Sequence, residues 1–382
     1  MMHDKLGYYT CQGIRFESKM QAMLYANPRN VDIQWHFNDV VYNSYTWDQE
    51  PQLSLDALYD ARARQIREQY DYVILSYSGG SDSNNILEAF LRQGLFIDEV
   101  VTNWALDLTG KYLDTSGKDN DTWNNNSEFY LHTRHRLNYI KNVSPNTKIT
   151  INDTSEALIN AIRVNEDSDW ITKKNDAVNV TGITTYNISY FMRHTLDMNR
   201  RIAYLIGTDK PKLRVVGDDL FMFFIDKAVN MIALDEITLK YPNVTPVFFY
   251  WDPDAVDIVC KQGHVVLNYI KNNPHVKPLW ASLDVMTQRR YQEEVLKWLI
   301  YPTTWKDGYW QVRKSTKDWD SELDYWFTRG MKDTREYAAW FAGLREVAPK
   351  INRFLILEDG MIRGSRPYFS KFFRIGSVTQ EV

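Results

Sequence analysis

Only two cysteines occur in 382 residues, Cys11 and Cys260, far apart and in no CxxC pattern. That scarcity excludes a disulfide scaffold, argues against a structural zinc site and points to a reducing compartment. Long apolar runs are missing too: the stretch 220–225 is the longest, and it stops at Asp226 and Lys227, far short of a membrane span. The amino terminus has neither the apolar segment nor the cleavage site of a leader, so a cytoplasmic protein without an anchor is expected. Positive charge is not in surplus. Lys and Arg number 45 against 49 Asp and Glu, a net charge of −4, which argues against nonspecific coating of nucleic acid but leaves room for a local basic patch. No internal repeat or low-complexity segment is present.

What is present is an ordinary globular balance, 44% hydrophobic and 25% charged, with 13 Trp and 24 Tyr as its one excess. The length predicts more than one compact unit. Residues 1–70 read as a small α+β addition: a hairpin over 8–16 broken at Gly13, a helix over 18–25, a strand over 31–37, then an amphipathic helix through Arg62 to Arg67. The arginines near that helix either face solvent or reach a phosphate. Residues 71–235 read as an α/β domain. Residues 236–382 are punctuated by Pro242, Pro246, Pro253, Pro274, Pro278 and Pro302 and are expected to be mainly helical.

The chain is organised around residues 72–88. Val73, Ile74 and Leu75 form a short apolar run suited to a parallel strand covered on both faces. Ser78, Gly79, Gly80, Ser81, Asp82 and Ser83 follow where the strand must turn, and Ile86, Leu87, Phe90 and Leu91 resume at helical spacing. A strand, a glycine turn and a helix start make an anion site, because freed backbone amides and the positive end of the helix converge there. The Walker loop is excluded, since neither its lysine nor its spacing is present.

These residues resemble the SGGxDS loop of the PP-loop ATP pyrophosphatases, with all six motif positions present between a strand and a helix. The resemblance covers about residues 71–235. It implies a Rossmann-like parallel five-stranded sheet with helices on both faces, ATP and Mg2+ as ligands, and cleavage between the α and β phosphates. It also implies that Ser78, Gly79, Gly80, Ser81, Asp82 and Ser83 grip the phosphates, that Asp82 helps hold magnesium, and that Leu75, Ser76 and Thr102 frame the adenine. The Asn-rich, aromatic-rich composition is similar to that of PP-loop proteins of large phages.

A second informative stretch is 203–224. Tyr204 to Ile206 read as a further strand, and Gly207, Thr208, Asp209, Lys210 and Pro211 as its turn. A lysine at the mouth of a parallel strand beside the phosphate loop is placed to stabilise leaving pyrophosphate. Asp209 and Lys210 are therefore the catalytic candidates with Asp82, in keeping with the charged turn that PP-loop enzymes carry after this strand. Gly217, Asp218 and Asp219 are partly similar to the GxDELF turn of the asparagine synthetase branch, where acidic residues bind magnesium. An ordinary β-turn before a buried strand fits them equally.

The polar stretch 107–127 reads either as a substrate lid or as an unstructured loop. His132 and His135, with Glu128 a turn earlier, are a conceivable metal face but more simply a surface helix. Within the family, thiolases and sulfonucleotide reductases need active-site cysteines and nitrile synthases a zinc cluster, and this chain carries neither. An ATP-dependent ligase using a nitrogen nucleophile is expected, acting on a small molecule or nucleotide. Alternatives are a tRNA or nucleotide modification enzyme and a nucleotide-binding protein without turnover. Finally, Arg363, Arg366, Lys371 and Arg374 interleave with Tyr368, Phe369, Phe372 and Phe373. Such a tail either docks by its aromatics, sealing the site from water, or stacks on bases while neutralising phosphate.

Overall fold

The computed structural model describes residues 7–104, 106, 129, 133–163, 194, 197–207, 210–226, 237, 239–281, 287–301, 331–358 and 361–379. The N-terminal hairpin forms as expected: β1 (Tyr8–Cys11) turns at Gln12 and Gly13 into β2 (Ile14–Phe16). Helix α1 (Lys19–Arg29), capped by the Ser18 hydroxyl, leads to β3 (Gln34–His36), which pairs with β1 to close a three-stranded antiparallel sheet. Helix α2 (Asp39–Tyr42) is short, and α3 (Leu55–Gln69) starts at the Ser54 cap and buries Leu58, Tyr59, Arg62, Ala63 and Ile66.

The chain then enters a five-stranded, all-parallel sheet. Strand β4 (Tyr72–Ser76) leads through the glycine turn into α4 (Ser81–Arg92), followed by β5 (Glu99–Trp104), α5 (Arg134–Val143), β6 (Lys148–Asp153), α6 (Ser155–Arg163) and β7 (Ile202–Ile206). Asp153 caps α6 by accepting the Ser155 amide at 2.9 Å. Val73, Ile74, Leu75 and all five residues of β7 are buried. Burying each large apolar side chain contributes about 1.5–3 kcal/mol, so these two central strands anchor the sheet.

Two antiparallel strands follow, β8 (Lys212–Val216) and β9 (Asp219–Phe223), before the fifth parallel strand, β10 (Val244–Phe248). Sheet order is β6-β5-β4-β7-β10. The chain lays strands outward on one side of β4, then returns to place β7 and β10 on its other side, a Rossmann-like α/β arrangement.

The sheet therefore runs past the boundary expected at residue 235. Pro246 made β10 read as part of a helical region, yet an edge strand tolerates a proline because one side of its backbone has no ladder to complete. The rest of the chain is mixed. Helices α7 (Val256–Asn272), α8 (Lys277–Ala281), α9 (Thr287–Ile300) and α10 (Arg335–Val347) precede a hairpin, β11 (Leu355–Glu358) with β12 (Met361–Ser365), and a last strand, β13 (Phe373–Ser377). Strand β13 pairs with β9, giving a second antiparallel sheet of order β13-β9-β8.

One continuous core joins these parts: Phe37, Tyr42 and Trp47 pack with Phe224, Trp251 and Phe373. Two buried ion pairs fix the seams. Lys19 lies 2.8 Å from Asp226, whose carboxylate also accepts from the Tyr9 hydroxyl and the Tyr368 amide. Arg62 lies 2.9 Å from Asp252 and donates to the Phe248 carbonyl, which pins α3 to the end of β10. The tail's cations and rings thus divide: Phe373 is buried, exposed Arg374 pairs with half-buried Asp219, and the backbone at Tyr368 and Ser370 bonds to Asp226 and Phe224. Among the described residues no helix is long and apolar enough to cross a membrane.

Candidate active site

In an open parallel sheet, ligands sit at the carboxyl ends of the strands where strand order reverses. Here that point lies between β4 and β7. The turn 77–80 closes one side, and Gly207 and Lys210 stand on the other. The two sides touch: a Cβ on Gly207 would stand 3.1 Å from Ile86 and 3.3 Å from the Ser83 nitrogen, so glycine lets the end of β7 approach the first turn of α4.

The loop is built to expose backbone. Gly79 sits at φ +79°, and a side chain there would come within 3.0 Å of the Thr133 backbone. Thr133 donates its hydroxyl to the Ser78 carbonyl at 2.6 Å. The Ser78 hydroxyl accepts the Gly80 amide at 3.2 Å, and Ser83 donates to the Gly80 carbonyl at 3.2 Å. These two serines thus brace the turn. Gly80 is the N-cap of α4 and offers no side chain to its first-turn amides. Ser81 is 2% exposed, and its hydroxyl has no hydrogen-bond partner among the described residues. Uncapped amides beside an unsatisfied buried hydroxyl suit an anion with several acceptor oxygens.

Asp82 is the most connected residue of the loop. Lys210 Nζ lies 2.7 Å from its Oδ2, and the Tyr301 hydroxyl donates to its Oδ1 at 2.5 Å. The Tyr250 hydroxyl donates to its backbone carbonyl at 2.8 Å while accepting from Asn85 at 3.0 Å. Tyr59 completes a cluster of three phenols, donating to the Ile300 carbonyl and accepting from Gln262. Burial, followed by the negative charge of Asp82, pushes the Tyr301 hydroxyl well above the usual phenol range; burial and then the neighbouring Tyr59 do the same to Tyr250. Both phenols therefore remain donors toward Asp82 at neutral pH.

Of the other residues singled out from sequence, Leu75 is fully buried at the end of β4, Ser76 is half-buried beside it, and the Thr102 hydroxyl on β5 accepts the Trp104 indole N–H at 2.6 Å. Asp218 and Asp219 are placed elsewhere. They stand at the β8–β9 hairpin turn, where Gly217 is at φ +63°, and pair with Lys277 and Arg374, each at 2.8 Å. They are not brought to Asp82. Asp209, the stretch 107–127, Glu128 and His132 lie outside the described residues. Among the described residues no group of three or more His, Cys, Asp or Glu is gathered as a metal cage.

Tyr59, Tyr250, Tyr301, Asn85 and Thr133 carry no motif in the sequence. Arg136 is a further addition: it reaches from α5 to Glu88 at 3.1 Å and to the buried Asn84, tying α5 to α4. Neither family models nor curated proteins give a match to this chain.

Proposed function

We propose that the chain binds ATP at the SGGSDS loop and cleaves it between the α and β phosphates. An acyl or carbonyl-type oxygen of a small-molecule or nucleotide substrate attacks the α phosphorus, pyrophosphate leaves, and a nitrogen nucleophile then displaces AMP. The observation that carries this reading is the Lys210–Asp82 ion pair, which joins the two sides of the strand-order reversal at the mouth of the glycine turn. The Asp82 carboxylate engages the ammonium of Lys210 as a phosphate oxygen would. An entering pyrophosphate group takes that place, and Lys210 then neutralises charge that grows as the α–β bond breaks.

Mg2+ commonly uses one or two carboxylates together with phosphate oxygens, so Asp82 released from Lys210 fits as its single protein carboxylate. Bound there, the ion supplies charge neutralisation on the phosphates. Asp218 and Asp219 do not fit that role, being tied to Lys277 and Arg374 in the other sheet. Tyr301 and Tyr250 keep Asp82 oriented from below, and Gly79 lets the backbone approach the phosphates. A nitrogen rather than sulfur donor is favoured because both thiols are buried and Cys260 is pushed up to about 12 by burial.

The test is to incubate the protein with ATP, Mg2+ and candidate amines and carboxylates and to analyse the nucleotide products. AMP and pyrophosphate are expected; ADP and orthophosphate would overturn the assignment. A second reading, nucleotide binding without turnover, is favoured by the engagement of both Asp82 oxygens. It predicts retained ATP and no AMP in the same assay.

A further inference from the structure

The tail residues that do not dock have a common address. In the β13-β9-β8 sheet, side chains alternate between the core and the opposite face. Leu213, Val215, Leu220, Met222, Phe373 and Ile375 point inward and are buried. The outward set is different in kind. Strand pairing sets Arg214 and Arg374 on either side of Phe221, and Lys212 beside Phe223. Phe372 stacks on Phe223 with ring centroids 4.4 Å apart and planes 11° apart, and Phe369, 45% exposed, meets Phe223 edge-on at 5.3 Å.

We propose that this face binds single-stranded nucleic acid, stacking bases on Phe221 and on the Phe223–Phe372 pair and neutralising phosphates with Arg214 and Lys371. Each element of the argument is a general requirement of such surfaces. Unpaired bases need flat rings presented from a rigid support, and a sheet face supplies them. Phe221 and Phe223 are two residues apart on one strand, hence about 7 Å apart, so each can take its own base. The cations flank the rings instead of lying apart from them. Arg214 is half-buried beside Phe221 and makes no hydrogen bond or ion pair with the described residues. Lys371 is exposed and pairs with none of the described acids. Asp219, at the start of the strand that carries the rings, is held by Arg374. Duplexes suit this face poorly, because their bases present no free ring face and the chain's net charge of −4 opposes backbone-only binding.

The test is fluorescence anisotropy at low salt with a labelled short oligouridylate, against a duplex of equal length. No nucleoside triphosphate enters the assay, so its result is independent of the ATP reading. The wild-type protein should prefer the single strand by about tenfold or more, and Phe221→Ala with Phe223→Ala should weaken binding by about tenfold or more, as loss of two stacking rings implies. Arg214→Gln should lower affinity and reduce the dependence of log affinity on log salt by about one phosphate contact. If the alanine pair lowers the melting temperature, Phe221→Leu serves instead, since it keeps apolar bulk and removes the ring. Absence of binding at low salt, equal binding of duplex, or binding indifferent to these changes would overturn the proposal. So would a wild-type dimer in sedimentation that Phe221→Leu dissociates, which would make the face a contact between copies.

Discussion

Lys210 Nζ and Asp82 Oδ2 stand 2.7 Å apart although 128 residues separate them in the chain. Side-chain exposures of 10% and 23% place the pair at the rim of the core. Removing the lysine therefore leaves a partly buried carboxylate with one charge-assisted bond fewer, a loss of about 1.5–3 kcal/mol. Lys210→Ala should lower the urea midpoint accordingly and should slow pyrophosphate release more than it raises KM, because its charge matters most as the bond breaks. Asp82→Asn should instead weaken Mg2+-dependent ATP binding, measured by calorimetry with and without the metal. Equal and negligible effects of the two changes would remove both residues from the site.

Tyr301 should couple to Asp82 and not to Lys210 alone. Its hydroxyl donates to a carboxylate from a fully buried position, so Tyr301→Phe is expected to cost about 1.5–3 kcal/mol. In a double-mutant cycle with Asp82→Asn the two costs should fail to add by roughly 0.5–3 kcal/mol. Additive costs would mean that the phenol serves packing and not the orientation of the loop.

Alkaline solution should find the same cluster. Burial raises the phenols of Tyr59, Tyr250 and Tyr301, whereas tyrosines of the unfolded chain ionise at about pH 10. Above that pH the unfolded state holds fewer protons than the folded one, so stability is full below about pH 10 and falls as pH rises, by about 1.4 kcal/mol per pH unit for each such phenol. Urea titrations across that range should show the decline, and Tyr301→Phe should flatten it. A profile unchanged by the substitution would place the alkaline loss elsewhere.

The sequence revealed most about the parts of the fold set by local rules. Val73 to Leu75, the glycine turn and the apolar spacing of α4 are contiguous, so strand, turn and helix could be read together. The site's lower half was not legible because it is assembled at long range. Tyr250 and Tyr301 meet Asp82 from 168 and 219 residues away, and a single tyrosine before a proline carries no spacing to betray it. Strand β10 was missed because Pro246 counts against a strand everywhere except an edge, and edges are decided by topology. The GDD turn shows the converse: its residues look like a metal motif, yet Gly217 at positive φ turns a hairpin whose carboxylates are spent on surface ion pairs.

Gly79 offers a backbone test of the loop. At φ +79° an alanine is strained, and its methyl would also press on the Thr133 hydroxyl and Cα at 2.9 and 3.0 Å. Gly79→Ala should destabilise by more than about 1 kcal/mol and should abolish ATP binding even where the protein remains folded. Gly13, also at positive φ but with nothing within 4 Å of a Cβ, is the control: Gly13→Ala should carry backbone strain alone and leave ligand binding intact.

The C-terminal segment should prove inseparable from the fold. Deleting residues 360–382 removes β13, whose Phe373 and Ile375, with Val378 just beyond, are buried. Three such side chains contribute roughly 5–9 kcal/mol, comparable with the whole stability of a typical domain, about 5–15 kcal/mol. The deletion also exposes the partner edge of β9 and strips Asp226 of the Tyr368 amide. The truncated chain is therefore expected to lose its cooperative thermal transition, so that a role in sealing the site cannot be tested by truncation. Arg374→Ala separates the two effects. Its pair with Asp219 is exposed on both sides, 48% and 34%, and such pairs contribute less than about 1 kcal/mol, so the melting temperature should barely move. A truncated protein that still melts cooperatively near the wild-type temperature would show that β13 is an appendage rather than a strand of the core.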